Sequence, residues 1–357
     1  MSVLGSLAWR ELTQLPHPAI QAQQCLNTVR RSHCQRCTDI CPEGVIGSDG
    51  TVKSWSACTD CGRCVTACPT RAIAPSEHRL KQLLALRERE QAKLWLSCAS
   101  SSRRSDYPCG CLCELSWEGL ASIAFYRHLV LDLSPCPQCS KAECRELLKQ
   151  QLILLHRFLG GENFQRAITL NHTVEDSPRE EDRFSRRALF HFAAEQSGTG
   201  VKALLRRAPL LSGEELALDG LSLRRLLNGQ MKQRDDVFHW ELPFIGANCT
   251  GCGLCEGHCP TKALRVDREK GMVVLESWKC VQCRSCVTAC PNKAITGLEP
   301  VQIQEFRPLC LGHFTVKKCR DCSAELPPNG KSAVCPSCLQ KRMRLAAKRS
   351  AKREGLR

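Results

Sequence analysis

No apolar stretch in this sequence comes near the roughly 20 residues that a membrane-crossing helix requires. The longest candidate, 152–155, amounts to one helical turn. Residues 1–10 carry no basic region ahead of an apolar stretch and no small-residue cleavage site, so they do not read as a secretory signal. The run Ser185-Arg186-Arg187-Ala188-Leu189-Phe190 looks like a twin-arginine export motif but lies in mid-chain, where such a signal does not act, and it reads as helix surface. These absences lead to the expectation of a soluble, cytoplasmic protein without a membrane span. Also missing are a nucleophile–histidine–acid set, a Walker-type loop and a dinucleotide-binding GxGxxG, which removes flavin and nucleotide chemistry of the familiar kinds.

What the sequence has in excess is cysteine, 28 in 357 residues. Disulfide scaffolds of that density are short, whereas this chain is long enough for two to four domains and groups its cysteines in CxxC spacings that favour metal. A reducing compartment follows. The formal net charge of +15 counts every cysteine as neutral. Metal-bound cysteines are thiolates, and four cubane clusters with one zinc bring the total to roughly +5. The basicity is mostly compensation for cofactors.

The fold class expected is a multidomain α+β chain. Residues 20–75 form a first cysteine module, with Gly44-Val45-Ile46 and Gly50-Thr51-Val52-Lys53 as short strands about the turn Ser48-Asp49-Gly50. Residues 76–172 read as a small parallel α/β domain, with helices over 76–92, 116–127 and 140–159 and strands at 94–96, 129–133 and 168–170. A helical connector follows over 173–240, its leucines periodic around 183–196, 201–208 and 221–233. The second cysteine module, 241–300, repeats the first: Val65-Thr66-Ala67-Cys68-Pro69 recurs as Val287-Thr288-Ala289-Cys290-Pro291, and Ser54-Trp55 recurs as Ser277-Trp278. A zinc ribbon over 301–340 and a basic tail over 341–357 complete the chain.

A cubane cluster needs three thiolates from one tight loop and a fourth from elsewhere, which CxxCxxC spacing supplies. Two such runs occur in each module, counting Cys34, Cys37, Cys41-Pro42 as the shortened one, then Cys58, Cys61, Cys64, Cys68-Pro69, and later Cys249, Cys252, Cys255, Cys259-Pro260 and Cys280, Cys283, Cys286, Cys290-Pro291. Zinc is satisfied by two CxxC pairs and gives no reason for the third cysteine or the terminal Cys-Pro. The pattern resembles the bacterial dicluster ferredoxin family, in which the fourth cysteine of each run is directed to the partner cluster. That resemblance implies four [4Fe-4S] clusters. Carried over by position, one is held by Cys249, Cys252, Cys255 and Cys290, and the next by Cys280, Cys283, Cys286 and Cys259. In the first module Cys58, Cys61, Cys64 and Cys41 complete a third set. The remaining set has Arg31 where the family has its first cysteine, leaving Cys34, Cys37 and Cys68. A three-iron cluster, a non-cysteine ligand or a recruited thiolate would each answer, and Cys25, nine residues before Cys34, is favoured as the replacement. Trp55 and Trp278 are expected to fill core.

Ligands of an open parallel sheet gather beyond the carboxyl ends of its strands. Cys98 follows the first expected strand, Cys136 and Cys139 the second, and Cys109, Cys111 and Cys113 lie in the loop between. The layout loosely resembles the hydrogenase delta-type iron–sulfur subunits, which implies a [2Fe-2S] cluster; structural zinc and a metal-free redox dithiol are the alternatives. Cys144, inside an expected helix, reads as a small buried apolar residue. At the other end Cys319-x-x-Cys322 and Cys335-x-x-Cys338 give a closed zinc ribbon, with Cys310 and His313 as ordinary loop residues.

Together these readings point to an iron–sulfur electron carrier, a subunit or partner of an oxidoreductase complex rather than its catalytic subunit. The rivals are a redox enzyme with its active site in the central cysteine domain, and a redox-sensing regulator binding nucleic acid through ribbon and tail.

Overall fold

Short elements dominate wherever cysteines are dense, and longer ones appear only where leucines recur with helical or strand period. The computed structural model describes residues 17–30, 33–47, 50–107, 109–173, 219–326 and 332–354. Arg31, the turn residues Ser48 and Asp49, and the expected helices at 183–196 and 201–208 lie outside the described residues. The chain divides into two compact units, 1–240 with 302–305, and 241–301 with 306–357.

The first unit begins with a two-residue antiparallel pairing, Ala19–Ile20 against Ile73–Ala74, in the register Ala19 to Ala74 and Ile20 to Ile73. It closes a small core of Ile46, Cys64, Val65, Cys68, Ala72 and Ile73, with Ile20, Cys25 and Cys37 packed against it. Half of this core is sulfur. The hairpin expected over 44–53 is reduced to a single antiparallel bridge, Ile46 to Val52. Trp55 and Trp278 do not fill core: both are half-buried at the start of a single tight turn, Trp55–Ala57 and Ser277–Lys279, that leads into Cys58 or Cys280.

Behind this module stands a three-stranded parallel sheet, Lys93–Ser97, His128–Asp132 and Ile168–Asn171, in that order. Leu94, Leu96, Leu129, Val130, Leu131 and Ile168 are buried, as a sheet covered on both faces demands. The crossovers are helical. Helix Glu77–Ala85 starts on a Ser76 cap that accepts from the Arg79 N–H, and Trp117–Ala124 on a Ser116 cap that accepts from Gly119. The first stops at Ala85 rather than 92, giving way to the tight turn Leu86–Glu88. Helix Ala142–Leu159 ends at Gly160, whose φ of +76° lets the chain turn into a further helix, Gly161–Ala167.

Helix Ser222–Met231 lies on Trp117–Ala124, joined through Arg224 to Glu118 and Gln230 to the Ser122 carbonyl. Beside them Phe158 stacks on Phe238 at 5.0 Å, and Trp117 meets Trp240 at 5.2 Å, an aromatic core that also shields the Glu118 ion pairs.

In the second unit the hairpin is complete. Leu264–Asp267 and Met272–Glu276 pair antiparallel about Gly271, and Pro308–His313 adds to the other edge of Met272–Glu276, with a bulge between Cys310 and Gly312. Cys310 and His313 therefore sit on a strand rather than in a loop. After a bridge between Lys318 and Glu325, helix Pro336–Glu354 carries the basic residues expected as a tail.

Candidate metal centres

Thiols can be gathered only where the backbone turns sharply, and the cysteine loops do this with left-handed residues. In three of the CxxCxxC loops the second and fourth residues after the first cysteine have positive φ: Asp60 and Gly62, Gly251 and Gly253, Gln282 and Arg284. Alternating handedness points successive N–H groups to one side, a concavity suited to an anionic core. Glutamine and arginine there are sterically costly, so the loop geometry overrides the residue preference. The shortened loop differs: Gln35, at the matching position after Cys34, has φ −115°.

A second device recurs four times. Three residues after each Cys-Pro cysteine the chain is left-handed, at Gly44, Arg71, Lys262 and Lys293, with φ between 50° and 58°. The N–H of each bonds back to the cysteine carbonyl at 3.2 to 3.4 Å. The next residue is buried, and in three cases its N–H donates to the cysteine sulfur: Ala72 to Cys68, Ala263 to Cys259 and Ala294 to Cys290, each 3.2 Å. Proline suits the turn because its own N–H is not required. The sequence signal is Cys-Pro-x-x-(Ala or Val)-(Ile or Leu), a quarter-repeat that comparing the two halves does not reveal.

These turns bring the cysteines together in groups. Burial pushes the Cys37 thiol up to about 11, with Cys68, Cys34 and Cys25 adding to the rise. The same four line one small cavity with Ile20, Asn27, Gly50 and Ile73. Asn27 ties Cys25's segment to Cys34 by two hydrogen bonds of 2.8 Å, one to the Cys34 carbonyl and one from its N–H. Cys64 is raised by burial and then by Cys61, Cys41 and Cys58. In the second unit Cys255 is lifted to about 11 by burial, with Cys249, Cys252 and Cys290 contributing. Cys286 reaches about 12 through burial and then Cys280, Cys283 and Cys259.

The donor chemistry fits iron–sulfur cores. Thiolates crowded in this way repel one another and gain stability only around a cationic centre. Spacing separates cluster from single ion, because two sulfurs on one zinc, each about 2.3 Å from it, lie no more than about 4.6 Å apart. Among the described residues, two groups of three or more ligating atoms fall within 4.8 Å of one another, and neither is a ferredoxin-type quartet. One is Cys319, Cys322, Cys335 and Cys338. There Cys322 and Cys335 are 3.7 Å apart, and the Cys335 N–H donates to Cys319 at 3.2 Å.

The other group is Cys111, Cys113 and Cys144. Sequence reasoning placed Cys144 in apolar core, and it is buried, but against two thiols. No spacing signal identifies it, since it comes from the first turn of helix Ala142–Leu159. The remaining central cysteines form a neighbouring set at the carboxyl edge of the sheet. Burial lifts Cys136 to about 11, with Cys98, Cys111 and Cys139 adding; burial lifts Cys109 to about 12, with Glu114, Cys111 and Cys98 among the contributors.

Buried charge links this region to the first module, and nothing in the sequence pattern announced it. Glu114 accepts from the N–H groups of Gly110 and Cys111 at 3.1 Å each and pairs with Arg63 and Arg79. Burial works to lower the Arg63 pKa, but Cys144, Cys113 and Glu114 outweigh it and hold it above the ordinary value. Glu118 receives both Nη2 contacts of Arg71 at 2.8 Å and Arg224 Nε at 3.2 Å.

Comparison with known proteins agrees with this geometry. The 4Fe-4S dicluster domain family matches twice, at residues 32–100 and 248–294. The chain is 34% identical over 58 residues to Ferredoxin-1 of Chlorobaculum tepidum, covering 15% of this chain and 90% of that protein. It is 51% identical over 39 residues to the polyferredoxin-like subunit of an aliphatic sulfonate oxidoreductase from Pyrococcus furiosus, covering 11% of this chain and 22% of the relative. With the NrfC homolog of Haemophilus influenzae it shares 29% identity over 97 residues, 27% of this chain and 38% of the relative. Thus the chain spans well under half of each of these two longer proteins. No solved structure matches it significantly.

Proposed function

The chain belongs to the 4Fe-4S dicluster ferredoxin family, and from that premise we propose that it relays electrons through four [4Fe-4S] clusters as a cytoplasmic subunit or partner of an oxidoreductase. The observation that carries the reading is the convergence of Cys25 on Cys34, Cys37 and Cys68. Only with a replacement for Arg31 does each of the four cysteine runs end in a complete thiolate quartet. The other quartets are Cys41 with Cys58, Cys61 and Cys64; Cys249, Cys252 and Cys255 with Cys290; and Cys280, Cys283 and Cys286 with Cys259. Each cluster supplies one-electron chemistry when bound. The chain's part is to hold the thiolates deprotonated, to aim N–H groups at sulfur and to exclude water, all of which set reduction potential.

Around these modules we read a zinc ribbon at Cys319, Cys322, Cys335 and Cys338, supported by sulfur spacing suited to one ion. Cys98, Cys109, Cys136 and Cys139 supply four thiolates for a [2Fe-2S] cluster of the hydrogenase delta type. The printed descriptions of two relatives, an oxidoreductase subunit and an ion-translocating oxidoreductase subunit, favour a redox complex as the setting.

The test is anaerobic purification with iron, sulfide and zinc quantitation, then reduction by dithionite. The expected result is about sixteen iron atoms per chain in cubane clusters, with multiple reduced-cluster paramagnetic signals. A zinc-loaded preparation free of iron overturns the proposal.

A further inference from the structure

We propose that Cys111, Cys113 and Cys144 form a mononuclear zinc site, distinct from both the clusters and the ribbon, with solvent as its fourth ligand. The three sulfurs lie within 4.8 Å of one another. Cys113 and Cys144 are buried, at 0% and 4% exposure, so the site is shielded from bulk water. That spacing needs only a small contraction to seat one ion with zinc–sulfur bonds of about 2.3 Å. In a cubane each thiolate sits on a different iron, which holds the sulfurs farther apart.

The surroundings are those of a ligated thiolate rather than of apolar filling. Cys144 is the third residue of the 18-residue helix Ala142–Leu159, where the helix dipole favours a thiolate. Glu114 holds the loop of the other two ligands by accepting from the N–H groups of Gly110 and Cys111. Such outer hydrogen bonds fix ligand orientation at metal sites. Charge also closes. Three thiolates and a divalent ion leave one negative charge, and Glu114 with Arg63 and Arg79 leaves one positive. A monovalent ion would leave an uncompensated charge in a buried place, which is costly.

The fourth position follows from a second observation. Arg63 is 7% exposed, and its Nε has no hydrogen-bond partner. A buried donor left unmade costs free energy. Water or hydroxide on the ion brings the acceptor oxygen that this donor lacks. Three protein ligands with one solvent position is the arrangement of zinc sites open to exogenous ligands. No atom in the argument belongs to the four cluster quartets, so the proposal stands apart from the electron-relay reading.

The experiment measures zinc, iron and sulfide in the full chain, purified anaerobically, for the wild type, Cys144→Ser and Cys322→Ser. About two zinc ions per chain are expected in the wild type and about one in each variant, with iron and sulfide unchanged. If Cys144→Ser impairs folding, judged by circular dichroism and cluster signals, Cys111→Ser in the adjoining loop replaces it with the same expected loss. A wild type with a single zinc that Cys322→Ser removes overturns the proposal. So does a variant at Cys144 or Cys111 that keeps both zinc ions, or one that loses iron in place of zinc. The iron count tests the relay reading separately.

Discussion

Cys25 lies nine residues ahead of Cys34 in a chain whose other cluster cysteines keep three-residue spacing, and the structure turns that irregular position into proximity. Its Cys25→Ser variant is expected to lose about four iron atoms per chain while the remaining clusters keep their signals. Unchanged iron and spectra would assign the fourth ligand elsewhere. Glu118 is the other residue on which much depends. Burial works to raise its pKa, but Arg71 and Arg224 hold it below the ordinary 4.5. A carboxylate depressed in the folded state adds stability above that ordinary value and loses it as pH falls through the folded one. Acid titration of unfolding should therefore show stability declining below about pH 4.5, and Glu118→Gln should flatten that limb. Because the substitution strands two buried guanidinium groups, it should also cost about 3–5 kcal/mol at neutral pH, measured by denaturant unfolding. A loss under about 1 kcal/mol would show that the pairs contribute no more than surface ones do.

Cluster loops depend on backbone handedness, so their weak points are particular positions within the turn. Gly251 has φ +65°, and a Cβ there would come 2.1 Å from the Phe314 ring. Gly251→Ala is expected to cost more than the roughly 1–3 kcal/mol of left-handed strain alone. The readout is faster loss of clusters from the second unit on exposure to a chelator, with the first unit's signals unaffected. Gly253 is a useful comparison, since its φ is +81° but no atom lies within 4 Å of a Cβ placed there. Gly253→Ala should show the strain without the clash. Equal effects at the two positions would remove Phe314 from the explanation.

For the whole molecule, charge distinguishes the loaded chain from the empty one. The formal +15 is that of a polypeptide with neutral thiols. Four cubane clusters and one zinc lower it by about ten charges. The holoprotein should elute from a cation exchanger at distinctly lower salt than the iron- and zinc-free chain. Coincident elution would mean that the basic residues do not compensate for cofactors.

Much of this was legible in the residue order because thiolate ligands must come from tight loops, and tight loops leave fixed spacings. The cysteine runs, the duplication, the ribbon pairs and the βαβαβ succession of leucine-rich strands and capped helices are local patterns of this kind. What depends on distant segments was not legible. The Ile46–Val52 bridge in place of a hairpin, the Arg71–Glu118–Arg224 pairs and the meeting of Cys144 with Cys111 and Cys113 each join segments with no shared spacing. The sequence by itself determined which atoms were available to hold metal and in what local geometry, since backbone turns and ligand spacing are short-range. Only tertiary structure decided which thiols share a centre, because packing across elements brings a helix's first turn to a loop some thirty residues away.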